Sequence, residues 1–276
     1  MAEKFSVLMS VYHGTKAEEL SECLNSLREQ TLWPNEIVIV CDGPVQSDVK
    51  YVLERESGAC KCVKIVELEE NVGLGLALNA GLKECSYELV ARMDTDDVCV
   101  PNRFEKQIDY FEQHTDVDVV GGAMSEFTDS PDNPIAVRVV PQNHADIVKY
   151  MRKRCPFNHI TVMFRKSAVE KVGGYMHWLY NEDYYLWLRM YMGGARFSNI
   201  ADILAEARVG EDMYRRRGGL IYFKNEKLLQ KFMLKNKIIG RFTYLSNVIK
   251  RFILQVLLPN KVREWVFKKF AREKAT

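Results

Sequence analysis

Short apolar runs alternate with segments of helical hydrophobic spacing along the first 120 residues of this 276-residue chain. The apolar runs have the length and composition of buried strands, and they cover about 5–11, 36–41, 63–68, 89–93 and 117–120. Helical spacing fills the intervening segments, over about 20–27, 48–56, 75–85 and 103–113. This order predicts an α/β fold, with a mostly parallel, Rossmann-like sheet and helices on both faces.

The alternation becomes less regular after Gly121 and Gly122. The later patterns predict helices over 145–152 and 166–172, a strand over 161–164, a helix from near Asn181 and a last strand over 200–209. From Leu220 onward the spacing is helical and amphipathic. We therefore predict one α/β domain over 1–219 and a helical C-terminal extension over 220–276.

Three carboxylates, Asp94, Asp96 and Asp97, follow the fourth predicted strand. The carboxyl ends of strands are where open α/β sheets bind ligands. Anions packed this closely repel one another unless a proton or a cation joins them, and Mg²⁺ or Mn²⁺ prefers such oxygen ligands. The pattern therefore favours a divalent metal site at Asp94 and Asp96, and a solvated acidic turn that caps the next helix is the alternative.

The charge of the chain is distributed unevenly, although the net charge is only +2. Residues 211–276 carry 17 Lys/Arg and 5 Asp/Glu, whereas the preceding 210 residues carry 22 and 32. A basic tail on an acidic body indicates an anionic partner for the tail. Nucleic acid is a poor candidate for that partner, because the acidic body would repel it.

The N-terminus and the cysteines indicate a cytoplasmic protein. No basic run and apolar stretch precedes the first predicted strand, so we expect no signal peptide. The seven cysteines lie mostly in apolar runs, and we expect reduced, buried thiols. Cys60 and Cys62 have no second Cys/His pair close by, which argues against a structural zinc site.

Two common nucleotide-binding motifs are absent from the sequence. Gly73-Leu74-Gly75 begins like a dinucleotide fingerprint, but Leu78 occupies the position of the third glycine. No Gly-rich loop ends in Lys-Ser or Lys-Thr, so the chain is not a P-loop protein. A bound diphosphate would need a metal and basic side chains from elsewhere to neutralise it.

Five short motifs, in order over residues 4 to about 219, resemble those of family 2 glycosyltransferases. They are Ser10-Val11-Tyr12-His13, Asp42-Gly43-Pro44, the segment 71–81, Asp94-Thr95-Asp96-Asp97 followed by Pro101-Asn102-Arg103, and Asn181-Glu182-Asp183. The chain departs from the family pattern at Ser10, His13 and Cys41. It also lacks the Gln-x-x-Arg-Trp pattern and the transmembrane helices of processive synthases, which favours the addition of a single sugar.

The resemblance implies a GT-A fold and an inverting transfer from a UDP-sugar. It implies that Ser10, Tyr12 and Asp42 bind the base of the donor, with Asp42 on the uracil. It also implies that Asp94 and Asp96 hold Mn²⁺ or Mg²⁺ against the diphosphate. Asp183 is then the general base on the acceptor hydroxyl, with Glu182 beside it.

Several of these residues have a simpler structural interpretation. Glu182 and Asp183 lie in the first turn of a predicted helix, where carboxylates complement the helix macrodipole. His159, just before a strand, either lines the acceptor site or has a purely structural role.

The segment 213–219 contains Arg215, Arg216 and Arg217 beside two glycines. It is either a solvated loop or a flexible clamp on the donor diphosphate, for which Arg215 and Arg216 are the candidates. Similar Arg-Arg-Gly-Gly segments occur in bacterial surface-polysaccharide transferases that add galactose or N-acetylhexosamine.

The tail pattern predicts either a peripheral membrane anchor or a helical subdomain. Apolar residues repeat on one helical face at 242, 245, 249, 252, 253 and 256, and after Pro259 aromatic residues mix with Lys and Arg. Aromatic residues beside basic ones are typical of segments that bind an anionic membrane surface. The alternative is a helical subdomain packed on the core.

Together these patterns predict a transferase that moves one sugar from a UDP-sugar to a hydroxyl of a lipid-linked or oligosaccharide acceptor. The predicted location is the cytoplasmic face of a bacterial inner membrane. Three alternatives remain: a haloacid-dehalogenase-type phosphatase that uses Asp94 and Asp96, a nucleotidyltransferase, and a non-catalytic membrane-tethered sugar-binding module.

Overall fold

A computed structural model of the chain describes residues 3–210, 218–259, 262 and 263. The predicted Arg215–Arg217 clamp and the aromatic residues Trp265, Phe267 and Phe270 lie outside these residues. The strands are β1 (Phe5–Val11), β2 (Glu36–Cys41), β3 (Val63–Glu67), β4 (Leu89–Arg92), β5 (Val98–Cys99), β6 (Val119–Phe127), β7 (Ala136–Arg138), β8 (Met163–Arg165) and β9 (Phe197–Arg208). The α-helices are α1 (Ala17–Arg28), α2 (Ser47–Ala59), α3 (Leu74–Glu84), α4 (Arg103–Gln113), α5 (His144–Met151), α6 (Lys166–Glu170), α7 (Glu182–Met192), α8 (Gly219–Lys235) and α9 (Arg241–Phe252).

All the described strands belong to one sheet, whose order is β3-β2-β1-β4-β8-β6-β9-β5, with β7 paired to β6. The first four strands in this order are parallel, as the alternation of strands and helices predicts. The second half is mixed, because β8 is antiparallel to both of its neighbours, β4 and β6. Two hydrophobic clusters lie on opposite faces of the sheet. A sheet with helices on both faces, as predicted, requires one such cluster on each face.

The register of the first strands brings their carboxyl ends to one edge. Val11 pairs with Cys41, and Leu8 pairs with Arg92. Asp42, which follows β2, donates its backbone N–H to the carbonyl of Val11 at 2.8 Å. Asp94 follows β4 by two residues and so lies at the same edge as Ser10 and Tyr12. These polar residues therefore gather at one edge of the sheet.

Two of the later strands extend beyond their predicted limits, β6 at its end and β9 at its start, whereas α6 ends two residues before its predicted limit. Strand β6 continues to Phe127, because its register with β9 shifts at Gly122 and Ala123 and pairing then resumes. Helix α7 is fixed by the buried side chain of Arg189, which donates to the carbonyls of Val172 and Gly174 at 2.6 and 2.7 Å. Arg189 lies in the last turn of α7, so these bonds attach the C-terminal half of that helix to the turn after α6.

The C-terminal helices pack on the α/β core. Leu229 and Met233 of α8 are buried in the same hydrophobic cluster as Trp187 of α7. The division at residue 219 coincides with the start of α8, and as a boundary between domains it stays a prediction. Among the helices that the structure describes, none combines the length and the hydrophobicity needed to cross a bilayer.

Helix α9 turns its polar face toward the protein and its apolar face toward solvent. Asn247 is buried and donates to Gln230 of α8 at 2.8 Å and to the carbonyl of Arg152 at 2.9 Å. On the opposite side, Phe242, Leu245 and Ile249 are 85%, 56% and 57% exposed. A π-helical turn, Ile253–Leu257, continues this surface with Ile253 and Leu257. The predicted amphipathic face therefore exists and is not buried against the core.

The cysteines differ from expectation at one pair. Cys60 and Cys62 form a disulfide bond, whereas reduced thiols were predicted. The two residues lie in the turn between α2 and β3, where their Cα atoms are 5.2 Å apart, within the range that a disulfide needs. The other five cysteines are free, and Cys23, Cys41, Cys85 and Cys99 are buried as predicted.

Close packing of α3 on the sheet predicts an effect of Gly81→Ala on stability. A Cβ atom at residue 81 would lie 2.5 Å from side-chain atoms of both Leu8 and Val40. Overpacking of this kind typically costs about 1–3 kcal/mol, so we expect the free energy of unfolding to fall by that amount. Urea denaturation of the two proteins measures it.

Gly58→Ala is the matched control. Gly58 lies in α2, and a Cβ there would meet no atom within 4 Å. Helix propensity favours alanine, so this variant should be unchanged or more stable by about 0.5–1 kcal/mol. Equal stabilities for the two variants would contradict the packing argument.

Candidate active site

An acidic cluster occupies the turn after β4. Asp94, Asp96 and Asp97 each offer a carboxylate oxygen, and these oxygens lie within 4.8 Å of one another. Asp97 is buried, Asp94 is partly buried and Asp96 is exposed. The predicted pair of metal ligands is therefore accessible from solvent, and Asp97 adds a third carboxylate behind them.

Two buried arginines hold the strand that carries the cluster. The guanidinium of Arg92, which is 1% exposed, forms an ion pair with the carboxylate of Asp94. Arg103, at the start of α4, donates to the carbonyl of Arg92 at 2.8 Å and to Gln107 at 3.0 Å. Arg103 belongs to the quoted family motif, but sequence reasoning did not identify Arg92 as a partner of the cluster. Its position within an otherwise apolar strand was the available signal.

The cluster has an excess of negative charge. Desolvation in the cleft and the neighbouring Asp94 carboxylate raise the pKa of Asp96 to about 6. Burial and the charges of Asp96 and Asp94 raise the pKa of Asp97 well above its usual range. Carboxylates with pKa values raised by mutual repulsion fit a hard divalent cation, which would relieve that repulsion. Asp94 and Asp96 are the accessible ligands for Mn²⁺ or Mg²⁺.

Arg208, at the end of β9, closes the other side of the cluster. Its backbone N–H donates to Asp97 Oδ1 at 2.8 Å, and its Nε donates to the carbonyl of Asp96 at 3.3 Å. The same guanidinium forms an ion pair with Glu22 of α1. Arg208 was not connected with the Asp-x-Asp segment from the sequence, because the pairing of β9 beside β5 is what brings them together.

The predicted donor-base residues lie along the adjoining strand ends. Tyr12 is exposed at the end of β1, and Thr95 Oγ1 donates to the carbonyl of Ser10 at 3.5 Å. Asp42 is buried, and its carboxylate accepts hydrogen bonds from the backbone N–H groups of Val72 and Gly73 at 2.7 and 3.1 Å.

Asp42 therefore has a structural role that was not predicted. It also accepts from Asn71 Nδ2 at 3.1 Å, so one carboxylate orders the loop that leads into α3. A carboxylate has about four acceptor positions, so one is left for a ligand. Contact between Asp42 and a uracil stays a prediction.

The predicted base, Asp183, lies in the first turn of α7 with its carboxylate fixed. Oδ1 accepts the backbone N–H of Tyr184 at 2.6 Å, and Oδ2 accepts the Sγ–H of Cys155 at 3.4 Å. Burial raises the pKa of Asp183, and its two hydrogen bonds oppose that shift. The geometry leaves an oriented carboxylate that can accept a proton from a bound hydroxyl.

Glu182 differs from Asp183 in its surroundings. Burial and the negative charge of Asp183 raise the pKa of Glu182 to about 7. Its Cβ lies 3.1 Å from the position that a Cβ on Gly75 would take, so Glu182 packs beside the start of α3. Near neutral pH Glu182 is therefore partly protonated.

His159 lies between the two groups of carboxylates. Its Nε2 is 2.9 Å from the Tyr175 hydroxyl, and its ring packs edge-on against Trp187. Burial and the charge of Arg92 lower the pKa of His159 well below its usual value, so the imidazole is neutral. His159 therefore has the contacts of a structural histidine, and it also faces the cavity that Asp183 lines. The structural interpretation and the acceptor-site interpretation each describe part of its environment.

A single cavity of about 930 Å³ is shared by the acidic cluster and the predicted base. Its walls include Asp94, Asp96, Asp97, His159 and Asp183. Glu182, Ser10, Tyr12 and Asp42 are not among the described residues that line it. Beyond Asp183 the cavity continues to Arg154 and to residues of α9, which sequence reasoning did not assign to the site. The structure thus brings the predicted metal ligands and the predicted base together around one space.

A comparison with protein-family models matches residues 6–173 to "Glycosyl transferase family 2". The chain belongs to this family. The assignment argues against the phosphatase and nucleotidyltransferase alternatives for the Asp94–Asp97 segment. The match includes four of the five motifs quoted from the sequence, and Asn181-Glu182-Asp183 follows after it.

Two curated glycosyltransferases are similar over nearly the whole chain. The amylovoran biosynthesis glycosyltransferase AmsE of Erwinia amylovora is 44% identical over 269 residues, which cover 96% of this chain and 98% of that protein. An Escherichia coli protein named UDP-Gal:alpha-D-GlcNAc-diphosphoundecaprenol beta-1,3-galactosyltransferase is 36% identical over 269 residues, which cover 98% of this chain and 97% of that protein.

The fold of this glycosyltransferase is also similar to solved structures. The structure of S. aureus TarS 1–349 in complex with UDP-GlcNAc superposes with a TM-score of 0.66. The alignment covers 91% of this chain and 72% of that chain at 20% identity, so it bears on the fold alone. With the sheet described above, this similarity confirms the predicted GT-A fold.

The acidic cluster predicts metal binding that depends on Asp96. In the Asp96→Asn variant one carboxylate ligand is lost, and we expect the affinity for Mn²⁺ to fall at least about tenfold, since even outer-shell changes cost 10–100-fold at metal sites. Titration calorimetry with Mn²⁺ measures this directly.

Asp109→Asn, in an exposed position on α4, is the control because it removes the same charge outside the cavity. It should leave Mn²⁺ affinity unchanged. Unaltered Mn²⁺ binding by Asp96→Asn would contradict the assignment of the site.

Proposed function

We propose that this glycosyltransferase moves a single sugar from a UDP-sugar to a hydroxyl group of a lipid-linked or oligosaccharide acceptor. The observation that carries the proposal is the shared cavity, which is lined both by Asp94 and Asp96 and by the oriented Asp183 carboxylate. Transfer with inversion needs a Lewis acid on the leaving diphosphate and one base on the opposite side of the sugar. The cavity supplies a candidate for each.

The donor side of the site consists of the acidic cluster, which lines the cavity, and the adjoining strand ends, which lie outside the cavity lining. A divalent ion held by Asp94 and Asp96 would neutralise the charge of the leaving diphosphate. We propose that Ser10, Tyr12 and Asp42 bind the nucleoside, and that Arg215 and Arg216 clamp the diphosphate. Galactose or N-acetylhexosamine is the favoured sugar, and the galactosyltransferase named above supports galactose.

The acceptor side begins at Asp183. Because its carboxylate is held by Tyr184 N–H and the Cys155 thiol, it has one orientation in which to take a proton from an acceptor hydroxyl. We propose that His159 and Glu182 shape this side. A lipid-linked acceptor is supported by the similar galactosyltransferase, whose name specifies a sugar on diphosphoundecaprenol.

We also propose that α9 and the π-helical turn dock on an anionic membrane surface at the cytoplasmic face of the inner membrane. Their outward face is apolar and uncovered, and their inward face is polar and hydrogen-bonded, the reverse of a helix that packs only on its own core. The basic residues Lys250 and Arg251 border this face. Apolar burial with attraction between Lys/Arg and anionic lipid is the usual basis of such docking.

The membrane proposal predicts that Phe242→Ser with Ile249→Ser weakens vesicle binding. Each substitution removes an exposed apolar side chain, so we expect partitioning onto vesicles with anionic lipid to fall at least about tenfold. Co-sedimentation measures this partitioning. High salt should also weaken binding of the wild type, because it screens the attraction between basic residues and anionic lipid.

Tyr51→Ser provides the control, because Tyr51 is equally exposed but lies on α2. Point substitutions are preferable to truncation before α8, which would remove Leu229 and Met233 and uncover the hydrophobic cluster that they share with Trp187. Equal sedimentation of the double variant and wild type would exclude α9 as the docking surface.

The transferase proposal predicts a separation between rate and donor binding at Asp183. Asp183→Asn should lower kcat by about 10²–10⁴-fold, the usual contribution of general-base catalysis, with little change in donor affinity. Release of UDP from UDP-galactose in the presence of a lipid-linked acceptor measures kcat, and UDP binding measures the donor site.

Glu182→Gln is the neighbouring control and should keep more activity than Asp183→Asn. Since burial raises the pKa of Asp183, wild-type kcat should fall as pH drops through the acid range and this base gains a proton. If Glu182→Gln abolishes transfer and Asp183→Asn does not, the base is Glu182.

A further inference from the structure

The cavity has a basic end that the donor and the catalytic base do not account for. Beyond Asp183 its walls include Lys153, Arg154, Lys250 and Arg251, with Leu254 next to them. This end is formed by the segment after α5 and by the C-terminal helices, whereas the acidic cluster lies at the ends of β4 and β9.

Chain connectivity places the basic end close to the catalytic base. Cys155, whose thiol donates to the Asp183 carboxylate, is preceded in the chain by Lys153 and Arg154. Two residues span at most about 7 Å, so the backbone of Lys153 and Arg154 lies within a short distance of Cys155 and hence of the base. The carbonyl of Lys153 accepts a hydrogen bond from Arg251 Nη2 at 2.7 Å, which fixes this segment to α9.

Three of the four cations have no carboxylate partner in the part of the chain that the structure describes. Arg251 forms an ion pair with the buried Glu226. For Lys153, Arg154 and Lys250, no ion pair with a carboxylate occurs within residues 3–210 and 218–259. Arg154 is oriented by Tyr150, whose ring centre lies 5.8 Å from the guanidinium carbon. A cavity wall with three such cations fits a ligand with more than one negative charge.

The basic end also adjoins the apolar surface of the tail. Leu254 lines the cavity, and its neighbours Ile253 and Leu257 belong to the exposed apolar face. A ligand that carries anions next to a long apolar chain would therefore meet cations inside the cavity and an apolar surface outside it.

We propose that Lys153, Arg154 and Lys250 bind the diphosphate of a lipid-linked acceptor sugar, an inference that rests on the proposed function. In a sugar linked through its anomeric carbon to a diphosphate, one ring separates the anions from the hydroxyl that is glycosylated. Arg154 directly precedes Cys155, whose thiol contacts Asp183, so the basic end adjoins the catalytic base. The donor diphosphate belongs at the opposite end, where Asp94 and Asp96 would hold a cation.

The test compares two acceptors that differ only in charge. Both carry N-acetylglucosamine and the same alkyl chain, joined through a diphosphate in one and through a neutral glycosidic oxygen in the other. Arg154→Ala and Lys250→Ala should each raise KM for the diphosphate acceptor about tenfold, as expected for a lost charge-assisted hydrogen bond, and leave donor KM and the KM of the neutral glycoside unchanged.

Lys231→Ala is the matched control, because Lys231 is exposed on α8 and is not among the described residues that line the cavity. It should change neither KM. An equal effect of Arg154→Ala and Lys250→Ala on both acceptors, or no effect on either, would overturn the proposal. So would a loss of vesicle binding that accounts for the whole change in KM, because the cations would then contact membrane lipid.

A binding measurement separates this proposal from the proposed function. An alkyl diphosphate without sugar is titrated into protein saturated with UDP and Mn²⁺, so that the donor end is occupied. Wild type should bind it, and Arg154→Ala and Lys250→Ala should bind about tenfold more weakly. If this holds while no acceptor is glycosylated, the site stands and the proposed transfer fails. If wild type does not bind the alkyl diphosphate, the site is absent.

Discussion

Repulsion among the carboxylates of Asp94, Asp96 and Asp97 is the constraint on which the rest of the site depends. Two unit charges within 4.8 Å repel by roughly 3 kcal/mol at an effective dielectric constant of about 20, and by less where water reaches them. The fold opposes this repulsion with Arg92 on one side and Arg208 on the other. Arg103 in turn fixes the backbone at Arg92. The protein thereby keeps the acidic cluster in place and leaves its solvent side available for a divalent cation.

The same cavity separates charge of opposite sign at its two ends. Acidic groups gather at the carboxyl ends of β4 and β9, and basic groups gather between the segment after α5 and α9. Asp183 lies between them on the first turn of α7. Arg189, in the last turn of α7, fixes this helix against the turn after α6. This arrangement supports the proposal of two anionic substrates, because a diphosphate at each end would not crowd the other.

The C-terminal helices contribute to both the cavity and the outer surface. Buried polar contacts of Asn247 and Arg251 attach α9 to α8 and to the segment 152–153. Buried polar groups must be hydrogen-bonded, so these contacts fix the rotation of α9 about its axis. That rotation is why the apolar residues of α9 face outward while Lys250 and Leu254 reach the cavity wall.

Local sequence determined much of the fold and part of the site. Strand length, helical spacing and the Asp-x-Asp turn depend on neighbouring residues, so β1, β2, α4 and the acidic cluster at the end of β4 follow from the sequence. The periodicity of α9 was equally clear, but the direction of its apolar face was not, because it depends on Asn247 and Arg251 meeting partners far away in the chain. Antiparallel β8, the hydrogen bond between Arg208 and Asp97, and the position of Arg154 and Lys250 on the same cavity were likewise decided only by the tertiary structure. Each joins groups whose separation in space is set by the packing of the whole sheet and not by their spacing in the sequence.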